Sequence, residues 1–392
     1  MRALSSPLSR SAIPPLLACV RLGLGVLAFA PSDRPLEAQV RRDASRRQPE
    51  RPETPPLELP RAPLAQVLAI GAVRAEIGRE DEAGPYMFGS IGGMAMGGDG
   101  TLYVSDNATN EIRIFDQRGR HLGTFGRRGR GPGEFVNPVG LVHDGDSTLF
   151  ALQSFQGITE LSARGASVQY RRTFGTGERY SSLCAMNGRL FVSIGGDSAV
   201  IRELDSARRE IRSFGTPFSA FIYGKPTDAA IKLSRQSGPT LLCDGPRATL
   251  YAFRGDQGLL RAYDLEGRQR WETTLPSFKM GLFGAQPGGG AYVAWSIDYI
   301  ATVMPLGSTR VLVQVARQDF ESTRGRSRAP GALVSPDVVE TRAYLLDAAT
   351  GRILTQAPGA GLLTPLADTL LAERVTDPWP MLRLRPARTR VP

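Results

Sequence analysis

"GGDGTLYVSDNATNEIRIFDQRGRHLGTFG", Gly97 to Gly126, decides how the chain is read. It opens on Asp99-Gly100, a tight-turn pair whose glycine accepts the positive φ of a hairpin. The strand "TLYVSD" follows at Thr101 to Asp106. It returns as "TLFALQ" at Thr148, "RLFVSI" at Arg189, "TLYAFR" at Thr249, "TRVLVQV" at Thr309 and "DTLLAER" at Asp368, six copies in all. A turn precedes each copy, among them Asn187-Gly188 and Asp244-Gly245, so a further strand is expected before every turn.

After each copy comes a third element: "IRIFD" at Ile112, "ITELS" at Ile158, "IRELD" at Ile201, "LRAYD" at Leu260, "TRAYLLD" at Thr341 and "MLRLR" at Met381. Apolar and polar residues alternate in it with the period of a half-buried strand. A fourth element ends in Phe-Gly at Phe125, Phe174 and Phe214. Four strands repeated six times, with no useful helical periodicity between them, predict an all-β chain: a six-bladed β-propeller of four-stranded antiparallel blades. The last repeat offers only "GLLTPL", "TLLAER" and "MLRLR", whereas "QVLAIGAVRAEIG", Gln66 to Gly78, stands before the first. This N-terminal segment is expected to pair with the last blade as its outer strand and so close the ring without an unfinished blade.

The glycine-rich connector "FGRRGRGPGEFVNP", Phe125 to Pro138, looks at first like a phosphate loop. Its "GPGEF" at Gly131 to Phe135 is matched by "GPYMF" at Gly84 to Phe88, 47 residues earlier, the offset that also separates Leu102 from Leu149. Gly-Pro and Phe therefore belong to the repeat: they turn the chain from an outer strand to the next inner one, with the Phe packing between blades. The stretches "GPGEFVNPVGLVHDGDSTLFAL" and "GTLYVSDNATNEIRIFDQRGRHLGTFG" resemble NHL-type repeats, and the chain from about Gln66 to Arg385 is similar to the exported six-bladed β-propeller proteins of bacteria. In such a blade the first strand lines the central channel, and Cys184 and Cys243 fall at equivalent places on neighbouring first strands. They are either two separate buried thiols or one disulfide, and the shared position favours the bridge.

The ends of the chain point to export. Residues 1–38 read as a signal peptide, with Arg2 and Arg10 ahead of the apolar run "LGLGVLAFA", Leu22 to Ala30, and small residues at Ala28, Ala30 and Ala38. "LLAC", Leu16 to Cys19, offers the alternative of a lipid anchor at Cys19, the one membrane attachment expected. Residues 39–63, rich in proline and arginine, lack the apolar surface to order themselves and read as a tether, leaving 64–392 for the propeller. The expected location is periplasmic or extracellular. A formal charge of +10 would suit an acidic partner, but all but three of the 48 basic residues are arginine and they are scattered, so nucleic acid is not expected.

Catalytic constellations are sparse. Two histidines, His121 and His143, exclude three-histidine zinc chemistry and read as exposed turn residues. Asp106, Asn107 and Asn110 in "SDNATN" read as turn-forming residues, with a calcium role requiring several converging oxygens. Residues 216–239 and 276–298 separate the outer strand of one blade from the inner strand of the next, and 317–339 separates second from third strands. Both kinds of connection emerge on one face of the disc, which is therefore expected to meet a ligand or partner. The binding candidates are Arg127, Arg128 and Arg130 in the connector and Asp319, Glu321 and Arg324 in the insertion. The expected function is a monomeric, non-catalytic, exported scaffold that binds an envelope or extracellular protein or a small ligand through that face and the channel mouth. No catalytic or metal residue is assigned and no cofactor is expected. The alternative implied by the family resemblance is a calcium-dependent hydrolase or lactonase with a carboxylate site in the channel.

Overall fold

The computed structural model describes residues 64, 68–78, 84–154, 156–196, 198–218, 238–279, 283–285, 291–293, 297–319, 337–359, 361–367, 369–375 and 380–389. Two short strands, β1 (Leu68–Ile70) and β2 (Ala75–Ile77), precede the first repeat. Blade 1 is β3 (Ile91–Met96), β4 (Leu102–Asp106), β5 (Glu111–Phe115) and β6 (His121–Phe125). Blade 2 is β7 (Pro138–His143), β8 (Thr148–Gln153), β9 (Gly157–Arg164) and β10 (Ser167–Phe174). Blade 3 is β11 (Tyr180–Met186), β12 (Arg189–Ile194), β13 (Ile201–Leu204) and β14 (Glu210–Phe214). Blade 4 is β15 (Thr240–Asp244), β16 (Thr249–Arg254), β17 (Leu259–Tyr263) and β18 (Gln269–Thr274), followed by a hairpin of β19 (Phe283–Ala285) and β20 (Ala291–Val293). Blade 5 is β21 (Ile297–Leu306), β22 (Arg310–Asp319), β23 (Asp337–Asp347) and β24 (Ile353–Pro358). Blade 6 is β25 (Leu363–Ala367), β26 (Leu370–Val375) and β27 (Met381–Thr389).

All pairings within the blades are antiparallel, and the molecule is a six-bladed β-propeller. The second strands, such as β4 and β8, are buried at every position because each blade is sandwiched between two neighbours. Leu102 and Val104 pack towards blade 6 with Leu370 and Leu384, while Tyr103 packs towards blade 2 with Leu141 and Leu149. This two-sided burial explains why "TLYVSD" and its copies do not alternate, whereas the outer strands do.

β1 and β2 both pair with β27, so the N-terminal segment completes blade 6 as expected. It does so in two pieces. Pro386 has no N–H to offer and only accepts, from Gly71 N at 2.8 Å, so the ladder breaks at residues 71–74. The insertion expected over 317–339 is shorter: β22 continues to Asp319, which pairs with Asp337 at the start of β23.

Successive blades are bolted together by their third-to-fourth turns. Asp116, Asp205 and Asp264 each accept the backbone N–H and pair with the side chain of the arginine four residues on. The turn so fixed docks on the preceding blade: Arg172 donates to Ser206 O at 2.7 Å, and Arg189 to Leu265 O at 2.8 Å. Cys184 of β11 and Cys243 of β15 form a disulfide across the inner strands of blades 3 and 4, with Cα atoms 5.6 Å apart.

Candidate functional site

The connections from fourth to next first strand and from second to third strand share one face. Its connectors are anchored by aromatic wedges. Phe135 is fully buried between blades 1 and 2, Phe88 between blades 6 and 1, and Phe218 packs between blades 3 and 4. Over these wedges lies a device that alternation alone did not reveal: an arginine of the third strand, second in the motifs "IRIFD", "LRAYD" and "TRAYLLD". Arg113 stacks 4.8 Å over Phe88 and donates to Pro85 O and Met87 O at 3.1 and 2.5 Å while pairing with Asp106 at 3.0 Å. Arg261 repeats this over Phe218 at 4.3 Å, donating to Thr216 O at 2.6 Å. Arg342 reaches Ser277 O at 3.3 Å. In blade 2 a neutral pair takes over: Gln153 Nε2 donates to Thr159 Oγ1 at 2.8 Å and its Oε1 accepts from Val136 N at 2.7 Å. The clue in the sequence is the arginine shared by "IRIFD", "LRAYD" and "TRAYLLD".

Asp106 is structural in full. Fully buried, it accepts N–H bonds from Gly89, Ser90 and Ala108 besides holding Arg113. Its counterpart in blade 5 is a larger ion cluster. The Asp298 carboxylate, also fully buried, accepts from Arg342 at 2.6 Å, Arg317 at 2.9 Å and Lys279 N at 2.7 Å. Burial by itself would push this carboxyl up, but the bonds from Arg342, Lys279 N–H and Arg317 outweigh it and hold its pKa below the ordinary aspartate value.

Arg127, Arg128 and Arg130 are all exposed on the face. The connector carrying them has a fixed shape: Gly129 N donates to Phe135 O at 3.0 Å, Phe135 N to Arg127 O at 2.8 Å, and Glu134 bonds both Arg127 and Gly131 N. Hydrogen bonds from Gly131 N and Arg127 hold the Glu134 pKa low. Asp319 ends β22, so it is a strand residue at the base of the insertion, which carries Glu321 and Arg324 outside the described residues. The arginine triplet and Asp319 thus lie on connections of one face, several blades apart.

Both histidines depart from the sequence reading of exposed turn residues. His143 ends β7 with its side chain buried, stacked on Tyr103 at 5.7 Å; its Nδ1 accepts from Gly145 N at 3.0 Å and its Nε2 donates to Ala163 O at 3.3 Å. His121 begins β6, half-buried edge-on to Phe115 and Tyr86. Aromatic neighbours from the next strand or blade, invisible in the local turn pattern, bury them. Among the described residues no group of three or more His, Cys, Asp or Glu could hold a metal ion.

A family model described as DUF5128, a 6-bladed beta-propeller, matches residues 86–158, which are blade 1 and the first two strands of blade 2. Solved structures that share the fold include two from Bacteroides. A putative exported protein from Bacteroides fragilis has a TM-score of 0.52 at 10% identity, covering 84% of this chain and 97% of that one. A member of the DUF4221 family from Bacteroides vulgatus has a TM-score of 0.53 at 10% identity, covering 83% and 99%. No curated protein matches the chain.

Proposed function

We propose that the protein acts outside the cytoplasm as a non-catalytic scaffold, binding an envelope or extracellular protein or a small ligand through its connector-rich face. The observation that carries this reading is the fixed connector that holds Arg127, Arg128 and Arg130 exposed while its one acid, Glu134, is used internally. Charges on a preorganised loop lose little entropy on binding and steer an anionic partner. The disulfide fits an oxidising compartment, as does the signal-like N-terminus, and one structural neighbour bears the description of an exported protein. The calcium-dependent hydrolase reading gains no specific support, because Asp106 and Asp298 are already bonded to arginines and backbone N–H groups. A calcium-dependent rise in melting temperature would revive it.

The test uses purified chain beginning at residue 39, immobilised and exposed to envelope extract. A chain substituted R127Q/R128Q/R130Q and another lacking 320–336, the part of the insertion outside both strands, are compared with it. Partners retained by the parent and lost from either variant are expected. Identical capture by all three would dismiss this face as the binding surface.

A further inference from the structure

The connectors that enter blades 1 and 2 are copies of one motif, and they use the same position differently. Glu134 of "GPGEF" turns back onto its own loop, where it holds Arg127 and Gly131 N. Met87, its counterpart in "GPYMF", is 49% exposed, although Tyr86 before it is half-buried against Phe115 and Phe88 after it is buried. The backbone on both sides of the Met87 side chain is fixed: Met87 N donates to Gly84 O at 3.2 Å, and Arg113 donates to Met87 O. An apolar side chain held half in water contributes little to the fold, so its presentation here is unexplained by stability.

Met87 and the arginine connector belong to one continuous surface, joined by the β4–β5 turn. Gly89, just past Met87, packs on that turn so closely that a Cβ there would lie 2.6 Å from the Cβ of Ala108. Gly89 N and Ala108 N both donate to the Asp106 carboxylate, at 2.9 and 3.0 Å. On the other side of the turn, Asn110 Nδ2 donates to Ala108 O at 3.3 Å, and Asn110 Oδ1 accepts from Asn137 N, at the end of the arginine connector, at 2.6 Å. Ala108 and Thr109 are exposed in the middle of this ledge, with Met87 to one side and Arg128 and Arg130 to the other. Among the described residues neither of these two arginine side chains makes an ion pair or hydrogen bond, whereas Arg127 is paired with Glu134 at 2.9 Å.

We propose that this ledge docks an acidic segment of a protein partner that carries one aliphatic or aromatic side chain. The apolar side chain packs on the Met87 thioether, and carboxylates beside it pair with Arg128 and Arg130. The inference rests on the reading of the connector-rich face as the binding surface, and it narrows that face to the two connectors of blade 1 and to one class of partner. Charge selects the acid, because the guanidinium fork of each arginine is free to take a carboxylate. The methionine selects a protein over a polyanionic glycan or a lipid headgroup: Met and Arg are enriched where protein surfaces meet, and a thioether offers nothing to a sulfate or phosphate. Ala108 and Thr109, small and uncharged, leave the space between open to the partner's backbone.

Fluorescence anisotropy on the full mature chain tests it with labelled probes: a nonapeptide of acidic residues around a central leucine, the same peptide with glycine at its centre, heparin, and phosphatidylglycerol vesicles. The leucine peptide is expected to bind, more weakly at high salt, and about tenfold more tightly than the glycine peptide. R128Q/R130Q should weaken the leucine peptide about tenfold, M87S should bring it to the level of the glycine peptide, and T109E should weaken both by placing a carboxylate in their path. M87S is expected to melt with the parent, since the side chain it trims is half in water. The proposal is overturned if the leucine peptide does not bind, if M87S or R128Q/R130Q leaves its affinity unchanged, or if M87S melts well below the parent, which would mark a structural methionine. Tighter binding of heparin or vesicles than of the peptide would also overturn it, in favour of a polyanion or membrane surface. Envelope capture lost from R127Q/R128Q/R130Q alongside a negative peptide result would sink this partner class alone and leave the binding face standing.

Discussion

Asp298 is the residue on which most charge converges in the candidate face, so its substitution gives the sharpest test of the ion cluster. D298N keeps the shape but leaves Arg317 and Arg342 facing a neutral amide, and loss of one member of a buried pair costs about 3–5 kcal/mol. The sign with pH follows from the lowered carboxyl pKa. Its contribution is fully present above the aspartate value of an unfolded chain, about 3.9, and disappears as pH falls through the lower folded value. Melting curves should therefore separate parent from D298N widely at pH 7 and bring them together in acid; a gap that stays constant would refute the ionic account. Residues of this kind were half legible. Asp106 could be read as structural from its turn, but Arg113, Arg261 and Arg342 looked like the solvent side of an alternating strand and are buried at 4, 7 and 5% exposure. Alternation reports polarity, and an arginine whose donors are all engaged by carbonyls and a carboxylate can occupy an interior position without breaking the pattern.

At the scale of elements, the repeat made the blades and their closure readable because every copy obeys the same two-sided burial. What it did not convey was how single elements are secured. β1 and β2 hold the ring shut by burying Leu68 and Ile77 against blade 6, with Ile77 at 0% exposure. A chain starting at residue 79 should expose the outer edge of β27 and its apolar neighbours, and is expected to melt lower and to associate through that edge, as size-exclusion chromatography would show. A monomeric truncated chain with parent stability would mean that closure by these strands is dispensable. The disulfide secures another junction, where the connector between blades 3 and 4 is long. Cys184 and Cys243 are separated by 59 residues, and opening a loop of that length by C184S/C243S should cost about 4 kcal/mol in the chain-entropy account. Unfolding in urea by the parent, with and without reductant, and by the double variant would measure it; equal midpoints would show that packing alone holds the seam.

The whole ring is six-bladed in sequence yet unevenly sewn at its centre. Ser105 ties blade 1 to the inner strand of blade 2; Ser182, Ser193 and the disulfide tie blade 3 to blade 4; Thr302 and Gln314 tie blade 5 to Leu363 of blade 6. The seam of blades 4 and 5 is tied as well, by Arg247 of the β15–β16 turn, which donates to Leu306 O at the end of β21 at 3.3 Å, and by Ile300 N on Gly255 O at 2.8 Å; among the described residues no side-chain hydrogen bond reaches an inner strand across the seams of blades 2 and 3 or 6 and 1. The backbones also approach tightly across a tied seam: a Cβ on Gly93 would lie 2.5 Å from Leu141 N, so only glycine allows the inner strands of blades 1 and 2 to meet this way. None of this was legible in the repeat, because it resides in single side chains that differ from copy to copy. It does predict how the molecule opens. Stability is distributed in cooperative units, and units joined by fewer bonds separate first. Native-state hydrogen exchange should therefore find the inner strands exchanging in two groups, β3 with β7, and β11 with β15, β21 and β25. Reducing the Cys184–Cys243 bridge should lower protection in β11 and β15 well before it lowers protection in β3 and β7. Uniform loss of protection around the ring after reduction would mean that the blades open as one unit and that the central bonds do not define separate groups.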